Sequence, residues 1–270
     1  MVNFRTEKIS DRVTRIYAVC TELMYLVEGD EKAALLDTGS GFGSLRSVVD
    51  QLTDKPVIVL LTHWHTDHAM GAGEFDVVYM NHKDDYIYGP HGEEAFRRDG
   101  MTMSEDYDKM EPGDYIPTVP AENFHDLKGG DKFNLGGVTI EIYDCAGHTR
   151  GSLAMLIKEE RMLLLGDACN NFTFMYDDYS LTISEYEENL KKLKAETDGK
   201  YDTVLASHGD GRLPGDIIDG VIALCEDIKS GKAEEIPFTF RGTHGLIART
   251  EAQTQEKGKC GNIVYNKGRI

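Results

Sequence analysis

Apolar residues in this chain fall into short continuous runs that stop abruptly at Asp, His or Gly. Arg12 to Val19 and Glu22 to Glu28 are rich in Val, Ile, Tyr and Leu and read as strands, with a turn at Gly29-Asp30. Lys32 to Asp37 is a third short run. Leu45, Val48, Val49 and Leu52 then recur at helical spacing. Residues 57 to 61 form a fully apolar strand that ends in Thr62-His63-Trp64-His65-Thr66-Asp67-His68. The order then repeats. Ser152 to Lys158 and Arg161 to Leu165 read as strands, and the second ends in Gly166-Asp167. Ser184 with Glu187 predicts a capping box at a helix start, with Tyr186, Leu190 and Leu193 on the apolar face. Thr203 to Ala206 is a strand ending in Ser207-His208-Gly209. A helix after Pro214 carries Ile217, Ile218, Val221, Leu224, Cys225 and Ile228 on one face, with Gly231 as its C-cap.

Each half therefore runs strand, strand, Asp, helix, strand, His, which predicts an internal duplication. Continuous apolar strands need both faces covered, so two sheets packed face to face with helices outside are expected. Residues 82–127 break the pattern and predict a partly helical insertion in a single 1–270 domain. Tyr86, Tyr88, Met101, Met103, Tyr107, Met110 and Tyr115 fall there, and the segment is expected to act as a lid over a pocket.

Composition removes several classes. With 40% hydrophobic residues the chain can bury a substantial core. No apolar run approaches the roughly 20 residues of a membrane span, and MVNFRTEKIS lacks the apolar stretch of a secretory signal, so a cytoplasmic protein with no membrane partner is expected. The net charge of −18 disfavours nucleic acid as a partner. Lys191, Lys192 and Lys194 share a helix with Glu185, Glu187 and Glu188 and read as a solvated face. The five cysteines lack C-x-x-C spacing, which excludes a Cys-based zinc module and argues against a disulfide framework. A small-molecule substrate is the expected partner, and a homodimer is compatible with the sequence.

His63, His65, Asp67 and His68 lie within six residues directly after a strand. Neutral imidazole and carboxylate are the ligand types for zinc, iron or manganese. His148, Asp167 and His208 each follow an apolar strand as well, where a rigid element can aim a ligand at one sheet edge. Trp64 stands inside the motif, and its orientation is left open.

These motifs, in this order, resemble the metallo-β-lactamase superfamily over residues of about 10 to 210. The resemblance implies a four-layer αββα sandwich of two mixed sheets. It implies His63, His65 and His148 on one cation, Asp67, His68 and His208 on a second, and Asp167 bridging them. Asp37 would orient the site from behind the ligands. The cofactor implied is two divalent ions, zinc first, with manganese or iron as alternatives. The activity implied is attack by a hydroxide shared between the ions on a small ester-type substrate, a lactone, thioester or related ester, with Asp67 holding or relaying a proton. A phosphodiesterase and a mononuclear iron oxygenase of the persulfide-dioxygenase type are the alternatives, and a non-enzymatic metal-binding protein is a third class.

Three departures bear on this. His65 is not the Glu of the flavodiiron branch. Cys169, two residues past Asp167, does not match the family's ligand cysteine and reads as packing. The tail from Glu234 to Ile270 is short and strand-like, unlike the helical substrate domain of the hydroxyacylglutathione hydrolases. Asn170 and Asn171 are the leading pocket candidates because they follow Asp167; Tyr86, Tyr88, Met101, Met103, Tyr176 and His244 are further ones. A Tyr hydroxyl is expected to donate to a developing oxyanion.

Overall fold

The computed structural model describes residues 4–104, 107–109, 111–256 and 258–270, so Met110 lies outside the described residues, as does the side chain of Met103. One sheet takes β1 (Arg5–Lys8), β2 (Val13–Tyr17), β3 (Leu23–Glu28), β4 (Ala33–Leu36), β5 (Val57–Leu60), β6 (Val78–Met80) and β7 (His125–Asp126) in chain order. The second takes β8 (Lys132–Asn134), β9 (Thr139–Asp144), β10 (Leu153–Ile157) and β11 (Met162–Leu164). The chain then leaves it for β12 (Thr173–Met175) and returns with β13 (Thr203–Leu205) and β14 (Arg212–Leu213). The helices are α1 (Leu45–Leu52), α2 (Thr66–Ala69), α3 (Asp85–Gly92), α4 (Glu94–Gly100), α5 (Ile183–Thr197), α6 (Ile217–Lys229) and α7 (Glu251–Thr254). Among the described residues no helix is long and apolar enough to cross a membrane.

The apolar strands are buried on both faces, which sets the αββα layering. Along β3, Leu23, Tyr25 and Val27 meet Leu153, Met155 and Ile157 of β10 between the sheets. The alternate residues of β3, Met24 and Leu26, join Leu45 and Val49 of α1. Ala154 and Leu156 of β10 join Tyr186, Leu190 and Leu193 of α5 and the apolar face of α6. Side-chain alternation along each strand thus feeds two cores at once.

The connectivity repeats as the residue pattern predicts. β2, β3 and β4 pair antiparallel, and β4 pairs parallel to β5 across α1. β9, β10 and β11 pair antiparallel, and β11 pairs parallel to β13 across α5. The halves are stitched at one edge: Leu23 N–H donates to Ser207 O (2.8 Å) and Leu153 N–H to Thr62 O (2.9 Å).

Two details differ from the sequence reading. The N-cap of α5 is Thr182, not Ser184, because Thr182 and Glu185 make the reciprocal capping box. Glu187 is instead turned inward, where Lys191 and Lys229 pair with it. The tail does more than its length suggested. β15 (Ile236–Phe240), β16 (Thr243–Ile247) and β17 (Ile263–Tyr265) join β12 in a third, four-stranded sheet. The buried Arg249 fastens this sheet to α6, donating to Gly220 O, Cys260 O and Gly261 O.

Gly220 lets the tail lie flat on α6, since a Cβ there would stand 2.3 Å from Cys260 O. Alanine gains about 1 kcal/mol of helix propensity, but overpacking against backbone costs about 1–3 kcal/mol. Gly220→Ala is therefore expected to lower the urea midpoint at unchanged m-value, a net loss of up to about 2 kcal/mol.

Candidate metal centre

Every residue singled out as a ligand sits just past the C-terminal end of a strand or in the turn that follows. His63, His65, Asp67 and His68 follow β5, His148 follows β9, Asp167 follows β11 and His208 follows β13. The stitched edge brings them into two groups, His63/His65/His148 and Asp67/His68/Asp167/His208, whose ligand atoms within each group all lie within 4.8 Å.

Hydrogen bonds on the outer ring nitrogens decide which atoms face inward. His148 Nδ1 stands 2.7 Å from Phe174 O, an acceptor only, so Nδ1 carries the proton and Nε2 presents its lone pair. Thr62 Oγ1 donates to Asp37 and so can accept from His63 Nδ1 at 3.1 Å, which leaves His63 Nε2 bare. His65 turns the other way: its Nδ1 is 3.1 Å from His63 Nε2 and 2.8 Å from His148 Nε2. Three nitrogens thus converge on one point.

In the second group, His208 Nε2 lies 3.3 Å from Asp167 Oδ2 and 3.5 Å from Asp67 Oδ2. His68 Nε2 lies 3.5 and 3.7 Å from the same two oxygens. Ligand bonds of about 2.1 Å in a tetrahedron put donors about 3.4 Å apart, so these spacings match the edges of a coordination shell. His68 Nε2 is buried without a hydrogen-bond partner, an orphan that a cation would satisfy. The donor set therefore fits divalent cations.

Asp37 holds the two groups in register. It is buried and occupies the left-handed region at φ 61°, which Asp tolerates better than most residues. Its Oδ1 accepts from Thr62 N–H at 2.7 Å, and its Oδ2 takes Thr62 Oγ1 at 2.8 Å and His68 Nδ1 at 2.9 Å. His68 Nε2 is thereby turned toward the ligands.

The electrostatics divide the same way. Burial, reinforced by neighbouring imidazoles, holds His63 and His65 well below the ordinary histidine pKa, so both are neutral donors. Burial opposes charge on His68 and His208, but the facing carboxylates outweigh it. His68 is held well above the usual value, and His208 is pushed up to about 9, chiefly by Asp167. Burial alone would raise Asp167, yet His208 and His68 drive it well below the carboxylate range. His68 and His208 are thus held in the protonated form when no cation is bound, and a divalent cation would displace those protons.

The centre forms the floor of a cavity of about 890 Å³. Asn170, Asn171, Tyr176 and Met101 line it. Asn170 also steadies the site: its Nδ2 donates to Asp167 Oδ1 at 3.3 Å. Tyr86, Tyr88 and His244 do not line it. Tyr86 is 44% exposed under the Arg150 guanidinium. Two residues along α3, Tyr88 turns inward onto Trp64, at 3.9 Å between ring centroids, so the Trp64 ring belongs to the core. His244 faces Thr239 across the β15–β16 hairpin. Cys169 is buried in the α5/α6 core, and all five cysteines are free.

Several residues escaped the sequence reading. Asp84 anchors the His148 turn, accepting from Gly151 N–H and Thr149 Oγ1. His91 and Phe96 form part of the wall, with His91 stacked between Phe96 (4.2 Å) and His65 (5.1 Å). Phe174, Phe240 and Arg241 build the opposite side from the third sheet. No local motif announces them; the clusters Phe172-Thr-Phe174 and Phe238-Thr-Phe240 were the available signal.

A sequence profile of the metallo-β-lactamase superfamily matches residues 18–208. The acyl-coenzyme A thioesterase MBLAC2 of Bos taurus is 27% identical over 202 residues, covering 68% of this chain and 72% of that protein. A β-lactamase-like protein 2 homolog of Caenorhabditis elegans is 26% identical over 201 residues, covering 70% of this chain, which spans 59% of the relative's length. Among solved structures, a metallo-β-lactamase from Pontibacter korlensis superposes with a TM-score of 0.61 at 17% identity, covering 83% of this chain and all of that one.

Two outcomes follow from the centre. Asp37→Ala is expected to weaken cation affinity about 10–100-fold in a chelator competition, with the far-UV spectrum retained. The pH sign comes from His208: its proton, held up to a pKa of about 9, must leave when a cation binds. Affinity should therefore rise with pH from 7 to 9, and calorimetry in buffers of different ionisation enthalpy should show proton release at pH 7.5. Without cation, stability from the raised His208 is full below an unfolded value of about 6.5 and lost as pH rises through about 9.

Proposed function

This chain belongs to the metallo-β-lactamase superfamily and is a hydrolase on that fold, and from that premise we propose that it cleaves an acyl thioester with two divalent cations bound. The observation that carries the reading is the convergence of seven candidate ligand residues into two donor groups, of which His65, Asp67, His148, Asp167 and His208 line one cavity. The completeness of the second group supports two ions over one. The relatedness to an acyl-coenzyme A thioesterase, and an aromatic wall suited to an acyl chain, support a thioester over a phosphodiester.

Bound divalent cations supply Lewis acidity and bring the pKa of water toward neutrality. The protein's own groups do the rest. His63, His65 and His148 would hold one cation; Asp67, His68 and His208 the other, with Asp167 between. Asp67, the more exposed of the two ligand carboxylates, is placed to take the proton from the attacking water. Water oxygen adds to the thioester carbon, the C–S bond breaks, and thiolate and carboxylic acid leave. Tyr176 lines the cavity, and its hydroxyl has no hydrogen-bond partner among the described residues, which makes it the expected donor to the developing oxyanion. Tyr179 also lines the cavity, but its hydroxyl is given to Asp177 at 2.9 Å. The 82–127 segment walls the cavity through His91, Phe96 and Met101, which supports its assignment as a lid.

The test joins elemental analysis to activity. Protein purified without added metal is expected to carry about two zinc or manganese ions per chain and to release thiol from an acyl thioester. Cleavage of a bis-aryl phosphate without thiol release would replace the substrate class. One iron with no hydrolysis would replace the reading with an oxygenase. Tyr176→Phe is expected to lower kcat about 100-fold, whereas Tyr86→Phe and Tyr88→Phe, both off the cavity, should stay within about twofold.

A further inference from the structure

The tail-sheet wall of the cavity sets an aromatic surface beside the cation of Arg241. Phe174 and Phe240 stack at 5.7 Å and 21°, and Phe172 meets Phe174 edge-on at 5.5 Å. None of the three is fully buried, and all three line the cavity. Beside them stands Arg241, in the turn of the β15–β16 hairpin at φ 47°, a left-handed conformation unusual for a residue other than glycine. Its guanidinium lies 5.0 Å from the Phe96 ring centroid and 5.6 Å from that of Phe240. It passes close over Gly100, where a Cβ would meet Nη2 at 2.6 Å. The absence of a side chain at Gly100 is what leaves it that room.

Arg241 has little else to do. Its one ion pair among the described residues, Nε to Asp99 Oδ2 at 3.4 Å, involves a carboxylate that is 66% exposed and so is weak. Neither Nη has a hydrogen-bond partner among the described residues. The other cavity cations differ. Arg97 is buried and spends both Nη atoms on Ser40 O, Gly41 O and Ile116 O. His91 is pushed down to about 4 by burial and is neutral. Arg212 sits on the exposed edge strand β14. A planar cation held between two rings with free nitrogens is suited to an oxyanion group.

We propose that Arg241 is a specificity-determining residue that binds an anionic group of the substrate while the apolar part lies on Phe174 and Phe240. The substrate class is then an anionic, partly apolar thioester. This deepens the thioester reading and rests on it for the bond that breaks. The anion has two possible sources of one chemistry: a phosphate on the thiol side or a carboxylate at the far end of the acyl chain.

The experiment has two parts. Wild-type and Arg241→Gln holoenzyme are titrated with 1-anilinonaphthalene-8-sulfonate and with its neutral analogue N-phenyl-1-naphthylamine. Arg241→Gln is expected to weaken the sulfonate about tenfold more than the neutral probe; an equal change in both, or none, overturns the proposal. This readout does not need turnover, so it stands if thioester hydrolysis itself fails. Then kcat/KM is compared for an acyl-CoA against the same acyl-pantetheine, and for an ω-carboxyacyl-pantetheine against the acyl-pantetheine. Loss of the anionic preference in Arg241→Gln in one comparison supports the proposal and identifies the source. Wild-type turnover with no preference in either comparison overturns it.

Discussion

The carboxylate of Asp37 is the constraint on which the centre depends. One buried group holds Thr62 by backbone and hydroxyl and His68 by its outer nitrogen. Thr62 in turn orients His63, and its carbonyl receives Leu153 N–H from the second sheet. Both donor groups and both sheets therefore meet within two residues of one side chain. A buried carboxylate without such partners would cost several kcal/mol; here each oxygen is satisfied by the elements it must position. The left-handed backbone at Asp37 aims the carboxylate back across the strand ends.

Packing explains why the ligands can be this exact. Strands buried on both faces are rigid, and they end together at the stitched edge. Tyr25 adds to this from between the sheets, its hydroxyl donating to Ala206 O at 2.5 Å just before His208. Arg15, buried beside it, donates to Asp210 O and Gly211 O and closes the turn after His208. The geometry of the candidate ligands is thus built into the backbone, with the carboxylates of Asp67 and Asp167 facing the imidazoles of His68 and His208.

The candidate centre was legible in the sequence because its residues are local: four candidate ligands in six positions, and three more each ending an apolar run. The αββα layers were legible because continuous apolar strands permit few alternatives. The cavity wall was not. Tyr86 and Tyr88 lie two residues apart in one helix, and only three-dimensional packing shows that one faces solvent and the other Trp64. His244 reads like any other histidine until the hairpin register sets it opposite Thr239. Phe174 and Phe240 lie far apart in sequence and stack only because β12 leaves the second sheet to pair with β17. The capping box expected at Ser184 falls instead at Thr182 with Glu185, and Glu187 is paired with two lysines.

The sandwich fixes the candidate donor groups at the base of the cavity, so under the proposed reaction substrate choice falls to the walls. One wall comes from the 82–127 segment and the other from the tail sheet, the two parts least constrained by the sandwich. They touch where Arg241 lies over Gly100 and against Phe96. Among the described non-glycine residues, three of the four with positive φ are Asp37 behind the ligands and Thr21 and Arg241 in the cavity wall. For Thr21 and Arg241 that conformation costs about 1–2 kcal/mol apiece, which the surrounding structure must outweigh. Strain of this kind persists where backbone direction matters more than local comfort. At Asp37 the direction serves the ligands, and at Arg241 it serves the wall facing them.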